Sequence, residues 1–442
     1  MEEMFTLILN GFASLLSVEA IVAMLVGTFL GIIFGALPGL SATTGMALLL
    51  PIAYNMDVTI GLLMLGGIYA GALYGGSISA ILLGIPGTAA ALPTTFDGYP
   101  LSRAGYSKIA LLAGLYGSSI GGFLSALCLM FLTPPIASIA LKFGPPEMFL
   151  LGVWGITMVT GVIGADIVKG LFMGILGLLV GTVGADPTNG FARFTFGNTY
   201  LYSGFSLVPV ILGLLALPRV YEMIEDFGRP GAYFIPEKEN RYYLKFKEVI
   251  TKWKLILRSA IVGIIVGIAP AAGPTIAAFM SYNLAKKNSD SPETFGKGNV
   301  EGVWASETSN NGATGGSLVL ALSLGIPGSP AAAVLMSALI MKGIQPGPLL
   351  MQDNADIVNT FFAGFVVVNV LVFIMGHFFV QTGATVLKTP IKLLAPAIIL
   401  ISAIGAYSET STMFSIYTAL GFSFIAYILG KCKFPMGPFL LS

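Results

Sequence analysis

Hydrophobic residues in this chain come in long unbroken runs, not in the every-other-residue pattern of half-buried strands. Residues 20–37 and 361–379 are two such runs. A helix needs about 20 apolar residues to cross a bilayer, whereas a spanning barrel strand alternates apolar and polar over about 10. Lipid offers no hydrogen bonds, so every backbone polar group must find an internal partner, and continuous apolar runs then mean helices. A short amphipathic stretch at 5–16 comes first. Apolar segments follow at 19–56, 58–92, 109–141, 148–163, 171–183 and 206–217. A polar interruption at 219–254 carries Arg241, Lys245, Lys247, Lys252 and Lys254. Beyond it lie segments at 255–284, 312–340 and 358–379, and two spans between 393 and 429. The pattern predicts an all-α polytopic membrane protein with about ten to twelve embedded helical segments. Its organisation is a first membrane half at 1–218, a basic loop at 219–254 and a second membrane half at 255–442.

Composition supports the same solvent. Of 442 residues, 55% are hydrophobic and 10% charged, and the mean hydropathy is +0.88. Ordinary soluble domains carry about 25% charged residues, so there is too little polar surface here to coat a soluble core. The net charge of +1, with no basic run interleaved with aromatics, gives no sign of nucleic-acid binding. Cys128 and Cys432 are too few for a disulfide framework. The opening MEEM lacks a basic region, so no cleaved signal peptide is expected and the first spans direct insertion themselves. Glycine at 56 positions and proline at 25 allow both close helix contacts and broken helices.

The breaks recur. The first half reads GIIFGALPGLSATTG from Gly31, then YAGALYGGSISAILLGIPG ending at Gly87. The second reads GIIVGIAPAAGPTIAA from Gly263, then NNGATGGSLVLALSLGIPG ending at Gly328. Both pair G-x-x-x-G-x-x-P with a later GGS…GIPG string, in the same order and 232 to 241 residues apart. By the positive-inside rule the basic loop is cytoplasmic, so the span from Leu255 starts there. The first span follows an acidic, lysine-free N-terminus with Glu2, Glu3 and Glu19, and so starts outside. Two similar segments entering from opposite faces make an inverted repeat.

Pro38 and Gly39 fall where an apolar run should have continued. Proline removes a backbone donor and clashes with the preceding turn, and such breaks persist where they line a cavity or are buried in protein. In secondary transporters, half-helix N-termini at such breaks face anionic groups and bare carbonyls hold sodium. Gly39, Ser41, Thr43 and Thr44 in one copy and Thr275 in the other are therefore candidate substrate contacts. Pro38 and Gly273 are candidates for the coupling ion. A packing kink filled by small residues explains one copy equally well; the pairing favours a site. Gly76, Ser77, Gly316 and Ser317 in the GGS strings either leave amides for an anion or make helix contacts. Gly84, Pro86 and Gly87, with Gly325, Pro327 and Gly328, read as hairpin tips or hinges.

Ionisable and amide residues within membrane segments are costly and mark function. Asn310 and Asn311 are the strongest polar candidates for ion or carboxylate contacts, and Thr94, just ahead of Asp97 in TTFDGYP, is a further coupling-ion candidate. Asp97 either joins that site or caps a loop. Glu301 and Glu307 read as residues of a solvated loop, Asp166 and Lys169 as a paired turn, and Arg193 as an anion contact or a surface residue. His377, the single histidine, sits on an apolar run and reads as a packing residue. No HExxH, Walker lysine string or Cys/His zinc spacing is present. The chain reads as no enzyme, with no cofactor beyond a sodium ion for coupling.

These strings resemble the large membrane subunit of the tripartite tricarboxylate transporter family. The likeness runs through GALPGLSATTGMALLLPIAY, YGGSISAILLGIPGTAAALPTTFDGYPLSRAG, VKGLFMGILGLLVGTVGADPTNGFARFTFG, FGKGNVEGVWASETSNNGATGGS and LGIPGSPAAAVLMSALIMKGIQPGP. The chain departs from the family pattern at Pro270-Ala271-Ala272-Gly273, where PGAG is usual, and at Ser306-Glu307, where Pro-Glu is common. The resemblance implies a permease of a prokaryotic cytoplasmic membrane taking up small organic carboxylates on a sodium or proton gradient. It implies a small membrane subunit and an extracytoplasmic solute-binding protein as partners, an elevator-type carrier with re-entrant hairpins, and a homodimer. A channel or structural subunit without its own gradient coupling is the competing reading.

Single cysteines placed ahead of Glu19 and ahead of Leu255, in a chain whose Cys128 and Cys432 are replaced, should react with impermeant thiol reagents from opposite faces. Labelling from one face would rule the inverted topology out.

Overall fold

The computed structural model describes every residue except 1, 38–39, 143, 145, 148–149, 151–152, 154–166, 187–190, 226–243, 245, 270–272, 387–390 and 442. Pro38, Gly39, the Pro270–Ala272 run, Asp166, Arg241, Lys245 and most of the 148–163 segment lie outside the described residues. Apart from a two-residue hairpin pairing β1 (Gly184–Ala185) with β2 (Ala192–Arg193), the described regular structure is helical. Among the described residues, six helices are long and apolar enough to cross a membrane: Val18–Ala36, Val58–Leu83, Ala89–Ala140, Leu207–Glu225, Ala355–Gly383 and Met413–Lys431. The stretches Val168–Gly181, Pro330–Met341 and Ala395–Ser408 are shorter apolar helices. The chain is a multi-pass membrane protein.

Two compact units form. The first comprises Met1–Met46, Met56–Lys142 and Arg229–Thr389; the second comprises Ala47–Asn55, Phe143–Gly228 and Pro390–Ser442. The second unit packs Met173, Val210, Leu214, Phe422, Ala426 and Phe439 into one apolar cluster.

The first unit is built on two helix pairs. In chain order the opening helices are α1 (Glu2–Ser14), α2 (Val18–Ala36), α3 (Ala42–Asn55, of which Ala47–Asn55 belongs to the second unit), α4 (Val58–Leu83), α5 (Leu92–Leu101) and α6 (Ser107–Ala140). Ser17 starts α2 by accepting from the Ala20 amide, and Asp57 starts α4 by accepting from Thr59, at 3.2 and 2.9 Å. Lipid tails are as apolar as leucine, so membrane helices associate by close packing, which small residues permit. On α2, a methyl group added to Gly31 or Gly35 would lie 2.7 or 2.0 Å from the carbonyl oxygen of Ile68 or Ala72. On α4, one added to Gly71 or Gly75 would meet the oxygen of Thr28 or Ile32 at 2.6 or 2.2 Å. The two backbones touch along their length.

The second pair repeats these contacts. Among the later helices, following α7 (Ile167–Gly181), α8 (Leu207–Ile211), α9 (Leu217–Glu225) and α10 (Phe246–Thr251), come α11 (Trp253–Ile268), α12 (Gly273–Lys287) and α13 (Val300–Leu324). Gly263 and Gly267 of α11 face the oxygens of Ser309 and Ala313, each 2.4 Å from an added methyl. Gly312 and Gly316 of α13 face those of Ala260 and Ile264 at 3.2 and 2.4 Å. Each of these four contacts of the first pair thus recurs 232 residues later on one helix and 241 later on the other. This register matches Gly75 to Gly316, one residue off the alignment that the GGS letters suggest, because the second string has one more residue before its GIPG.

Both GGS strings lie inside these helices, and Gly84 and Gly325 end them in the left-handed conformation at φ +70° and +73°. The chain then folds back. Gly87 presses on the Gly35 oxygen and Gly328 on the Gly267 oxygen, with added methyls at 2.0 and 2.6 Å. The helices that complete this unit are α14 (Pro330–Met341), α15 (Leu350–Asp353) and α16 (Ala355–Val386), whose Phe361, Phe362 and Phe365 are buried.

The hydropathy pattern starts the α13 span at residue 312, whereas the helix begins at Val300. Its first turns are polar, yet every residue from Gly302 to Ser323 is buried. Hydropathy read along the chain cannot register a polar side chain whose partners come from other helices. Glu307 belongs to this buried stretch and not to a solvated loop.

Replacing Gly35 with alanine should destabilise the protein by about 1–3 kcal/mol, the usual scale of overpacking. The same change at Gly430, which has nothing within 4 Å, should be silent in detergent-solubilised thermal unfolding. Equal melting temperatures for the two variants would contradict backbone-to-backbone packing as the organising contact.

Candidate functional site

The candidate residues gather around α13. Residues 307, 310, 311 and 314 are spaced i, i+3, i+4 and i+7, which puts Glu307, Asn310, Asn311 and Thr314 on one side of the helix. Burial without partners costs each polar group several kcal/mol in hydrocarbon, so their hydrogen bonds show what the site can do. Ser306 donates to the Gly302 carbonyl at 2.9 Å, Thr314 to Asn311 at 2.7 Å and Ser309 to Ala277 of α12 at 2.8 Å. Asn311 donates to the Glu307 backbone oxygen at 3.2 Å, and its own carbonyl accepts from Ser125 of α6 at 3.2 Å. Helix α6 comes this close because Gly121 leaves room for the Thr308 backbone and Gly315 for Ser125, where added methyls would lie 2.0 and 2.1 Å from carbonyl oxygens.

Among the described residues of this unit two carboxylates are fully buried, and they differ. Asp97 of α5 is saturated: its Oδ1 accepts from the amides of Gly296, Lys297, Gly298 and Asn299 at 2.8, 3.1, 2.9 and 2.8 Å. The Tyr282 hydroxyl of α12 donates to its Oδ2 at 2.8 Å. Asn299 in turn caps α13 by accepting from the Glu301 amide at 2.8 Å. Of the two sequence readings for Asp97, this is the geometry of a loop cap. Glu307 is held more sparsely. Its Oε1 accepts from Thr94 of α5 at 2.5 Å and its Oε2 from Ser118 of α6 at 2.9 Å. Thr94 also contacts the Ser306 hydroxyl at 3.0 Å. The Asn310 side chain lies near enough to act on the Glu307 carboxylate, yet neither its oxygen nor its nitrogen makes a hydrogen bond of normal geometry.

A third cluster joins the two helix pairs. The Tyr69 hydroxyl of α4 lies 3.0 Å from the Ser317 hydroxyl and 2.9 Å from that of Ser329, the cap of α14. All three are buried. At the first break, the Ser41 hydroxyl accepts from the Thr44 amide at 3.2 Å and meets the Thr44 hydroxyl at 3.0 Å, which caps α3. Thr43 is half-buried there. At the second break α12 starts at Gly273, whose φ is +57°, and Thr275 is half-buried in its first turn. Gly76 is buried against Thr88, and Ser77 donates back to the Tyr74 carbonyl at 2.7 Å.

The structure thus brings Thr94, Asn310 and Asn311 together and sets Asp97 in a separate nest at the start of α13. Glu307, Ser118, Tyr69 and Ser329 are the residues that sequence reasoning missed. The i, i+3, i+4, i+7 spacing of Glu307 with the two asparagines was the available signal. Elsewhere, Glu301 pairs with Lys252 at 2.6 Å and holds that ammonium above its ordinary range. Arg193 pairs with Asp186, and Lys169 donates to the Cys432 carbonyl at 2.8 Å. His377 bonds the Phe373 carbonyl at 2.8 Å and packs against the Tyr116 and Phe373 rings.

Known proteins resemble the chain over most of its length. A family model described as the tripartite tricarboxylate transporter TctA family matches residues 21–441. The chain is 35% identical to an uncharacterized 52.8 kDa protein in the TAR-I ttuC' 3' region of Agrobacterium vitis, across 98% of this chain and 86% of that one. It is also 32% identical to an uncharacterized protein in the TAR-II ttuC' 3' region of the same organism, across 41% of this chain and 74% of the other. No solved structure matches it.

Asp97→Ala should lower the thermal stability markedly, because several amides and a phenol lose their buried acceptor at about 1–3 kcal/mol for each unsatisfied group. An unchanged melting temperature would remove Asp97 from the role of loop cap.

Proposed function

The chain belongs to the tripartite tricarboxylate transporter TctA family, and from that membership we propose that it is a secondary active permease for small organic carboxylates. The family works in a tripartite system with TctB and TctC. In our reading, the chain pairs with a small membrane subunit in a prokaryotic cytoplasmic membrane and receives its solute from an extracytoplasmic binding protein. A sodium or proton gradient drives uptake. The two halves act as inverted repeats in an elevator-type carrier, as a homodimer, with Gly84, Pro86, Gly87, Gly325, Pro327 and Gly328 at its hairpin tips.

One observation carries this reading: the polar stretch Ser306–Asn311 is wholly buried in an otherwise apolar unit. Buried polar residues in membrane helices are retained along substrate and ion pathways. Helices α3 and α12 both begin at the breaks, and half-helix N-termini favour carboxylates. The substrate contacts we propose are accordingly Ser41, Thr43, Thr44 and Thr275, with Gly39 between the break and α3. Gly76, Ser77, Gly316 and Ser317 line the adjoining helix middles. Thr94, Asn310 and Asn311 contact the coupling ion, together with the backbone at Pro38 and Gly273. Asp97 is left out of that set, because its oxygens already hold four amides and a phenol.

Proteoliposomes holding the chain and its partner subunit, supplied with the binding protein, should accumulate a tricarboxylate only when an inward sodium or proton gradient is imposed. Thr44→Ala and Asn310→Ala should each slow uptake on the order of tenfold, the cost of one polar contact of about 1.4 kcal/mol. Downhill flux indifferent to both gradients would instead identify a channel.

A further inference from the structure

Glu307 stands apart from the other carboxylates of this structure. It is completely buried, in the polar first half of α13. The ion pairs among the described residues join Arg193 to Asp186, Arg219 to Glu222, Lys252 to Glu301 and Lys431 to Glu225, and none includes Glu307. Its neighbours from the packed helices are neutral oxygens: the hydroxyls of Thr94 and Ser118, with the Ser306 hydroxyl behind Thr94. A buried carboxylate without a counter-charge is very costly, and the Thr94 and Ser118 hydroxyls and the Asn310 side chain around it are all neutral, so either a proton or a cation meets that charge. Something positive belongs there.

The repeat adds an independent sign. The register that matches Gly75 to Gly316 also matches Tyr69 to Asn310, Gly76 to Ser317 and Thr88 to Ser329, all 241 residues apart. Tyr69 of the first copy and Ser317 and Ser329 of the second form one set, and its members satisfy one another. In the matching set, the Asn310 amide and the Thr88 hydroxyl are both buried and both lack a hydrogen-bond partner, and glycine stands where the serine would be. Buried polar atoms are rarely left without partners, so the unpaired Asn310 amide marks a position where a ligand completes the bonding.

We propose that Glu307 supplies the fixed negative charge of the coupling-ion site and that, with Asn310 Oδ1 and the hydroxyls of Thr94 and Ser118, it binds a dehydrated monovalent cation of the sodium class. This rests on the carrier reading above and deepens it. The donor set selects the ion. All its donors are oxygens, which suits a hard cation, and it contains one carboxylate, which balances one positive charge. A calcium-like ion draws on several carboxylates, and the described residues hold no cluster of three acidic, histidine or cysteine side chains. Asp97 is not available as a second charge, since its oxygens are engaged by the loop at 296–299. The cation would also join α13 to α5 and α6, because Thr94 and Ser118 come from those helices. Its arrival therefore changes how firmly three helices are held together, a direct route from ion binding to a change of conformation.

The test uses the purified full chain in detergent, with sodium alone as the probe and choline chloride at equal ionic strength as the control. Thermal unfolding of the wild type should shift upward with sodium in a saturable way. Glu307→Gln should abolish that shift while melting in choline at or above the wild-type temperature, since it removes an uncompensated charge. Ser118→Ala should raise the half-saturating sodium concentration by about tenfold, the effect of losing one ligand. Asp97→Ala should melt lower in both salts and keep the sodium shift. Retention of a wild-type sodium response by Glu307→Gln would overturn the proposal, as would a wild type that responds to pH but not to sodium. If Glu307→Gln does not fold, an unchanged half-saturation in Ser118→Ala overturns it. Gradient-driven uptake in proteoliposomes separates this from the carrier reading: uptake with an unaltered sodium response in Glu307→Gln refutes the site alone, and sodium binding without any uptake refutes the carrier alone.

Discussion

Two helix backbones in lipid gain little from burying leucine, because the solvent is as apolar as the side chain. They hold together when they come close enough for dispersion and for small polar contacts, and that closeness is what the paired glycines of α2 and α4, and of α11 and α13, provide. A single methyl group at Gly35 would sit 2.0 Å from a carbonyl oxygen, well inside contact distance. The rest of the first unit follows from this constraint. Once α11 and α13 are locked together, α13 has a neighbour on that side. Gly121 and Gly315 bring α6 against another, and Ser309 ties it to α12. A helix surrounded in this way can carry serines, threonines, asparagines and a glutamate through an apolar unit, because every neighbouring helix can offer a carbonyl or a hydroxyl.

The two buried carboxylates show how environment divides one chemistry into two roles. Asp97 meets four successive amides at the start of α13, the arrangement that best satisfies an anion without any cation. It joins α5 to the entry of α13 and to Tyr282 of α12. Glu307 meets two hydroxyls and an amide side chain that has not found its own partners. One carboxylate is finished by the fold, and the other is left with unmet demand for positive charge. Transport by gradient coupling needs a group of the second kind, whose energy changes when an ion arrives or leaves.

Repetition of the helix pair makes the differences between copies informative. Four backbone contacts recur at the same offsets, and both GIPG returns press on the equivalent glycine of the first helix of their pair. Against that shared frame, Tyr69 in one copy and Asn310 in the other occupy matching positions with opposite outcomes, one satisfied and one not.

The membrane, the helical class and the existence of the paired motifs were legible in the sequence, because hydropathy and proline or glycine placement act locally: a run of apolar residues must be buried, and a left-handed glycine such as Gly84 or Gly325 ends its helix whatever surrounds it. The start of α13 at Val300, the equivalence of Gly75 with Gly316 and the separate fates of Asp97 and Glu307 were not legible, for one reason. Each depends on atoms supplied by another helix: the amides at 296–299 for Asp97, Thr94 and Ser118 for Glu307, and the carbonyls of Ile32 and Ile264 for the two glycines. Polarity along a chain is a property of the residue, whereas satisfaction of a buried charge is a property of the packing around it. The sequence by itself therefore determined that this protein crosses the membrane on helices and that its GxxxGxxP and GGS…GIPG motifs occur twice. Only the tertiary structure decided which of its buried polar groups are already paired and which still await a partner.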